Sequence, residues 1–254
     1  MPNNYSIRLL FGIFALLIGY AHAAAAAEDD DAMARSILDQ ADQIRFPNEG
    51  FQVDVSITTR TNGQNGDSWK YRILSKGNEN TVVMVTEPAS ERGQIMLMKD
   101  RDLWVFIPKV SQPVRLSLSQ RLTGQVANGD LARANFSGDY TPKLLRIETI
   151  GGEKYNVLEL LAKDRGVTYH KVIYWVKQAN HWPYKAEFYS LSDRLLKSCR
   201  YERYQTLLGR PRPTRLVMED ALRSGEESVL DYSDMKLRNL PDKVFTKDYL
   251  KKLE

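Results

Sequence analysis

Cysteine is nearly absent: Cys199 stands alone among 254 residues. A lone thiol closes no internal disulfide, so packing must hold this chain together. Histidine is as scarce, with only His22, His170 and His181. These few soft or imidazole ligands fall at no metal-binding spacing, so no metal site is expected. The same shortage argues against Cys–His or Ser–His nucleophilic chemistry. No G-x-S-x-G elbow and no phosphate-cradling G-x-x-x-x-G-K is present. Carboxylates are plentiful but form no pair that stands apart from ordinary surface. The expectation is a protein that is not an enzyme and carries no cofactor. No run of five or six like charges occurs, and a formal charge of +4 without a clustered patch does not argue for nucleic acid.

What is present begins with a leader. Arg8 precedes the apolar run Leu9 to Tyr20, and small residues follow at Ala21, Ala23, Ala25 and Ala27. A positive start, a short apolar stretch and an A-x-A exit predict a secretory signal peptide over 1–27. The apolar run is short of the roughly 20 residues that span a bilayer. No cysteine follows it, so lipid anchoring of the bacterial type is not expected. The mature chain, 28–254, is expected in the periplasm as a single domain.

With 43% hydrophobic and 27% charged residues, that chain can build a core. "DDDAMARSILDQADQIRFP" predicts an opening helix with Met33, Ile37, Ala41 and Ile44 near one face, ended by Pro47. The period then changes to two. Phe51, Val53, Val55 and Ile57 alternate with Gln52, Asp54, Ser56 and Thr58, the pattern of a strand with one wet face. "TNGQNG", Thr61 to Gly66, reads as a turn. "DSWKYRILSKG", "NENTVVMVTEP", "GQIMLMKDRDLWVFIP", "KYNVLELLAK", "GVTYHKVIYWVKQANHWPYKAEFYSL", "RLLKSCRYERYQTL", "TRLVMED" and "ESVLDYSDMKL" read as further strands. Many short strands with regular turns predict a sandwich or barrel. Ser117 to Pro142 is different: polar, glycine-bearing, with Asp130 placed to cap a short helix, as in a lid or binding loop. "NFS", Asn135 to Ser137, fits a glycosylation sequon. Thr246 can cap a last short helix.

Trp69, Trp104, Trp175 and Trp182 lie in or beside the strand-like runs, with methionines such as Met84, Met96 and Met98 nearby. A plain core is the ordinary reading of any one of them. A curved sheet around a helix could instead leave a dry cavity, to which methionine adapts its shape.

The stretch Gly93 to Tyr140 resembles the bacterial outer-membrane lipoprotein-sorting family, the LolA/LolB-like carriers. The resemblance rests on "WVFIP", Trp104 to Pro108, on "RLS", Arg115 to Ser117, and on "GQVANGDL", Gly124 to Leu131. "WPYKAEFYSLSDRLLK" and "FTKDYLKKL" resemble the family's late hairpin and closing segment. In "NGDLARAN", Arg133 stands where many relatives are more acidic and carry serine. The resemblance implies a strongly curved, unclosed antiparallel β-barrel, mainly β with a few helices that plug the concave side. It also implies a cavity for the acyl chains of a lipoprotein or other lipid, carried toward the outer membrane with transient membrane contact. Candidate lining residues are Phe51, Val53, Val55, Ile57, Trp69, Tyr71, Met96, Met98, Trp104 and Phe106. Pro108, Arg115 and Arg121 are candidates for the rim. A non-enzymatic adaptor that partners an inner-membrane transporter is the alternative.

If the leader is cleaved, Edman sequencing of the exported protein should begin between Ala24 and Glu28. Membrane-bound protein that begins at Met1 would contradict the assignment.

Overall fold

In a computed structural model, the structure describes residues 31–110, 112–133 and 135–250. The leader at 1–27, its cleavage site and the end of the closing segment lie outside the described residues. The chain opens with helix α1, residues 31–45. Five strands follow: β1 (Phe51–Thr61), β2 (Gln64–Lys76), β3 (Asn80–Glu87), β4 (Ile95–Lys99) and β5 (Asp102–Phe106). Three short strands come next, β6 (Val114–Leu116), β7 (Arg121–Thr123) and β8 (Val126–Ala127). Helices α2 (Asn128–Ala132) and α3 (Phe136–Asp139) lead into β9 (Tyr140–Ile150) and β10 (Glu153–Ala162). The rest of the sheet is β11 (Lys171–Lys177), β12 (Pro183–Tyr189), β13 (Leu195–Leu207), β14 (Arg210–Asp220) and β15 (Glu226–Leu237). A 3-10 turn (Asp242–Phe245) and helix α4 (Lys247–Leu250) close the described chain.

Thirteen strands form one antiparallel sheet in the order β6-β5-β4-β3-β2-β1-β15-β14-β13-β12-β11-β10-β9, so among the described residues the two end strands are not paired with each other and the barrel stays open. β7 and β8 make a separate two-stranded ladder. Most neighbours in the sheet are neighbours in sequence, joined by tight turns. Asn62 and Gly63, with φ of 52° and 79°, make the β1–β2 turn, and Gly151 and Gly152, with φ of 59° and 85°, make the β9–β10 turn. Positive φ at both central positions matches the right-handed twist of the flanking strands, and glycine meets it without strain. The β1–β2 turn is thus shorter than Thr61 to Gly66: the second Asn-Gly pair lies inside β2.

The sheet bends around α1. One apolar cluster gathers side chains from β1–β5 and from β10–β15 together with Ala34, Ile37, Leu38 and Ala41 of α1. The buried stripe of α1 differs from the expected one by a rotation. Met33 is 45% exposed and Ile44 half-buried, while Asp42 and Arg45 are buried. Positions 34, 37/38, 41 and 45 follow the i, i+3/i+4 spacing of one helix face, and two of the groups turned inward there are charged.

The outer face is mostly polar and carries cross-strand pairs such as Arg72 with Asp54 at 2.8 Å and Arg215 with Asp231 at 2.7 Å. Two outer patches are apolar. On β10–β11 it is Tyr155, Val157, Ile173 and Trp175. On β3–β5, Val82, Ile95, Leu97 and Phe106 are covered by Leu240, Val244, Phe245 and Leu250. Thr246 caps α4 by accepting the Tyr249 amide at 3.3 Å. Cys199 is buried on the inner face, and burial pushes its thiol pKa up.

Phe245 of the closing segment is fully buried against β3–β5. Phe245→Ala should lower the unfolding free energy by about 3–5 kcal/mol in urea titration. A loss under about 1 kcal/mol would show that the segment is not part of the cooperative core.

Candidate functional site

Alternation in a strand sends successive side chains to opposite faces, so the inner face can be read strand by strand. β1 turns Phe51, Val53, Val55 and Ile57 inward, and β2 adds Tyr71 and Ile73 with Trp69 packed beside them. β4 adds Met96 and Met98. Eight of the ten candidate lining residues therefore share one surface.

Trp104 and Phe106 do not join them. The register pairs Leu97 with Trp104 and Ile95 with Phe106, and these four pack on the outer face against the closing segment. Met84 packs there too. Leu103 and Val105 are the inward residues of β5. The strands β3–β5 are apolar on both faces because each face is covered, so alternation of polarity gives no sign of which side is inside.

The rim candidates are also separated. Arg115 lies on the end strand β6 and pairs with Asp102. Pro108 follows β5 and is half-buried. Arg121 borders an outer hollow of about 200 Å³, shared with Leu196, Lys197 and Leu222.

The inner face is filled by the chain itself. The segment from Leu118 to Tyr140 enters the bend and inserts Leu118, Val126, Leu131 and Phe136 beside α1. Two gaps inside, one beside Arg45 and Phe136 and one beside Phe51 and Leu131, have volumes of about 20 and 10 Å³, about one water molecule each. Ligand pockets run to about 300–1,000 Å³, so neither of these gaps has room for a ligand while this segment is in place.

Polar groups hold the segment down, and sequence reading passed over most of them. Asp130 is not the N-cap of α2. It lies in the first turn, where its Oδ2 accepts the Ala127 amide at 2.8 Å. Tyr169 Oη donates to both Asp130 oxygens, at 2.9 and 2.8 Å, and Lys197 Nζ donates to Oδ2 at 3.1 Å. Burial and then the Asp130 charge push the Tyr169 phenol well above its ordinary pKa. Arg133 Nε and Nη2 donate to the two Asp139 oxygens at 2.6 Å each, and its Nη1 donates to the Asp100 carbonyl at 2.5 Å. Asn135, the first residue of the sequon, caps α3 by accepting the Gly138 amide at 2.9 Å.

A third pair lies deeper. Asp42 Oδ2 accepts the Ser137 amide at 2.7 Å, and Oδ1 meets Arg45 Nη1 at 3.2 Å. Burial raises the Asp42 pKa against the opposing pull of Arg45 and the Ser137 amide. The Arg45 guanidinium lies 4.2 Å from the Phe136 ring centroid, and Tyr174 meets the same ring edge-on at 5.5 Å. Among the described residues, Arg45 Nε and Tyr174 Oη are the buried side-chain polar atoms without a hydrogen-bond partner. No group of three or more His, Cys, Asp or Glu side chains among the described residues is placed to hold a metal ion.

Comparison with known proteins places this arrangement. A family model described as an uncharacterized protein matches residues 77–252. A LolA superfamily protein of Nitrosomonas europaea is 68% identical, with 85% of this chain and 98% of that one covered and a TM-score of 0.82. A DUF1329 family protein of Desulfovibrio piger is 20% identical over 87% of this chain and 99% of that one, with a TM-score of 0.74. A protein of Vibrio parahaemolyticus described as an outer membrane lipoprotein-sorting domain is 21% identical over 87% and 99%, with a TM-score of 0.73. The last two share the fold. No curated protein matches.

The Arg133–Asp139 pair can be tested alone. Arg133→Met takes away the close partner of the buried Asp139 carboxylate, leaving Arg101 at 4.0 Å, and should cost about 3–5 kcal/mol. Arg133→Met with Asp139→Leu should recover most of the loss, read by urea titration. Equal losses in the single and double variants would show that the pair is not a unit.

Proposed function

The chain belongs to the LolA superfamily, and on that footing we propose that it is a periplasmic carrier whose inner face takes up the acyl chains of a lipoprotein or of another lipid. The observation that carries this reading is the mismatch between the inner face and its cover. The face is continuous and apolar across both halves of the sheet. Much of its cover is a segment with helices of only five and four residues, α2 and α3. Helices that short have no stability of their own and form only while packed. Such a segment can leave without unfolding the sheet, and the apolar surface beneath it then suits an acyl chain.

Two further features support the reading. Arg45 Nε and Tyr174 Oη offer hydrogen-bond donors beside Phe136, where the ester or carboxyl end of a lipid would satisfy both. The hollow at Arg121, Leu196 and Leu222 shares Tyr169 with the inner gap and offers a route between them. The Vibrio parahaemolyticus protein of the same fold is described as an outer membrane lipoprotein-sorting domain, which agrees with a lipid cargo.

Two substitutions should move affinity in opposite directions. Phe136→Ala loosens the cover, so stability should fall by about 3–5 kcal/mol while affinity for a fluorescent fatty-acid probe rises several-fold. Tyr174→Phe removes a hydroxyl that has no partner, so stability should hold while probe affinity falls. Mass spectrometry of lipid extracted from the purified protein identifies the cargo. Absence of extracted lipid, together with no probe binding by the wild type or Phe136→Ala, sinks the proposal.

A further inference from the structure

The sheet has two free edges, and they are treated differently. Native proteins blunt such edges with shortness, charge, proline or bulges. β6 is three residues long and central Arg115 is charged. β9 is eleven residues long: its first half carries Pro142, Lys143 and a register shift at Leu145, and its second half carries two charges of opposite sign, Arg146 and Glu148, with neither proline nor bulge. From Arg146 to Ile150 it pairs regularly with β10 on one side. Among the described residues, the other side has no partner strand.

The free side of this half can be assigned. The two-residue turn at Gly151 and Gly152 makes Ile150 and Glu153 a hydrogen-bonded pair. Strict alternation then turns the backbone of Glu148 and Arg146 toward β10, and that of Ile147 and Thr149 toward solvent. Ile147 is 56% exposed and Leu145 40%.

We propose that two copies of this chain join along this edge, antiparallel about a two-fold axis at Ile147. That register is self-complementary. Ile147 faces Ile147 of the second copy, and the exposed Leu145 faces Thr149. On the other side of the strand Arg146 faces Glu148 of the second copy, and Glu148 faces its Arg146, giving two identical opposite-charge pairs. Both side chains are already set on that side: Glu148 accepts the Trp175 indole N–H at 3.1 Å, and Arg146 lies over the Trp175 ring at 6.0 Å. In the single chain they pair with each other at 2.9 Å, so assembly exchanges one partner for its symmetry mate. A shift of one residue in either direction breaks this match, so charge selects the register as well as the partner.

Sedimentation equilibrium of the purified protein, with melting curves to confirm folding, tests the assignment. Wild type should form a concentration-dependent dimer. Arg146→Glu places like charges opposite one another twice and should weaken it by about tenfold. Adding Glu148→Arg restores opposite signs and should restore the dimer. Ile147→Cys should cross-link to its mate under mild oxidation, because facing hydrogen-bonded residues are about 5.5 Å apart at Cα, within disulfide range. Cys199 is buried and does not compete. A monomer at every concentration, a dimer indifferent to Arg146→Glu, or a charge swap that fails to restore it overturns the proposal.

Discussion

A sheet that bends far enough to enclose a helix, yet pairs no backbone across its gap, has to be tied by side chains. Arg133 is the tie. Its guanidinium grips Asp139, just before β9, and reaches the Asp100 carbonyl in the β4–β5 turn. Arg101 of the same turn meets Asp164 beyond β10. One end of the gap is therefore bridged by two arginines, where a closed barrel would have a ladder of backbone hydrogen bonds. A ladder adds stability at every residue and resists local opening. Point ties localise resistance to a few groups, and the sheet's curvature can change when they move.

The inner cover follows the same logic. Apolar side chains alone would fill the bend in many ways, since hydrophobic contact is not directional. The Asp130, Arg133 and Asp42 contacts each require one geometry. Buried ion pairs add little net stability over well-packed apolar groups, but they punish misplacement of either member. The cover is therefore seated in one position without being held there strongly. On the proposed carrier reading, that combination suits a segment that leaves and returns to the same place.

How much of this is legible from residues alone varies by region. β1 is read correctly from one alternating run because one of its faces is wet. β3–β5 defeat the same method, since the closing segment makes their outer face apolar and hides that Trp104 and Phe106 point away from Leu103 and Val105. The strand over Tyr140–Ile150 escapes notice because Pro142 and the bulge at Leu145 interrupt its period. The α1 stripe is misjudged by one position because Asp42 and Arg45 look like surface. Arg133 does stand out, as a departure in "NGDLARAN", but its partner Asp139 comes six residues later and only the fold shows that both are inside. Long-range polar pairing has no period, which is why the cover's anchors are the least readable part of the chain.

The single thiol adds a kinetic dimension. Cys199 lies on the inner face, buried, with its thiolate disfavoured by that burial. Oxidants and disulfide catalysts act on thiolate that they can reach. Buried as it is, Cys199 is out of reach of such agents in this structure. On the proposed carrier reading, each departure of the cover would start a clock, and the chance of oxidation would accumulate with the time spent open. Oxidised Cys199, larger and polar, would obstruct reseating. A carrier built this way would gain from brief openings, and a population of molecules would carry in its oxidation state an integrated record of how long each had been open.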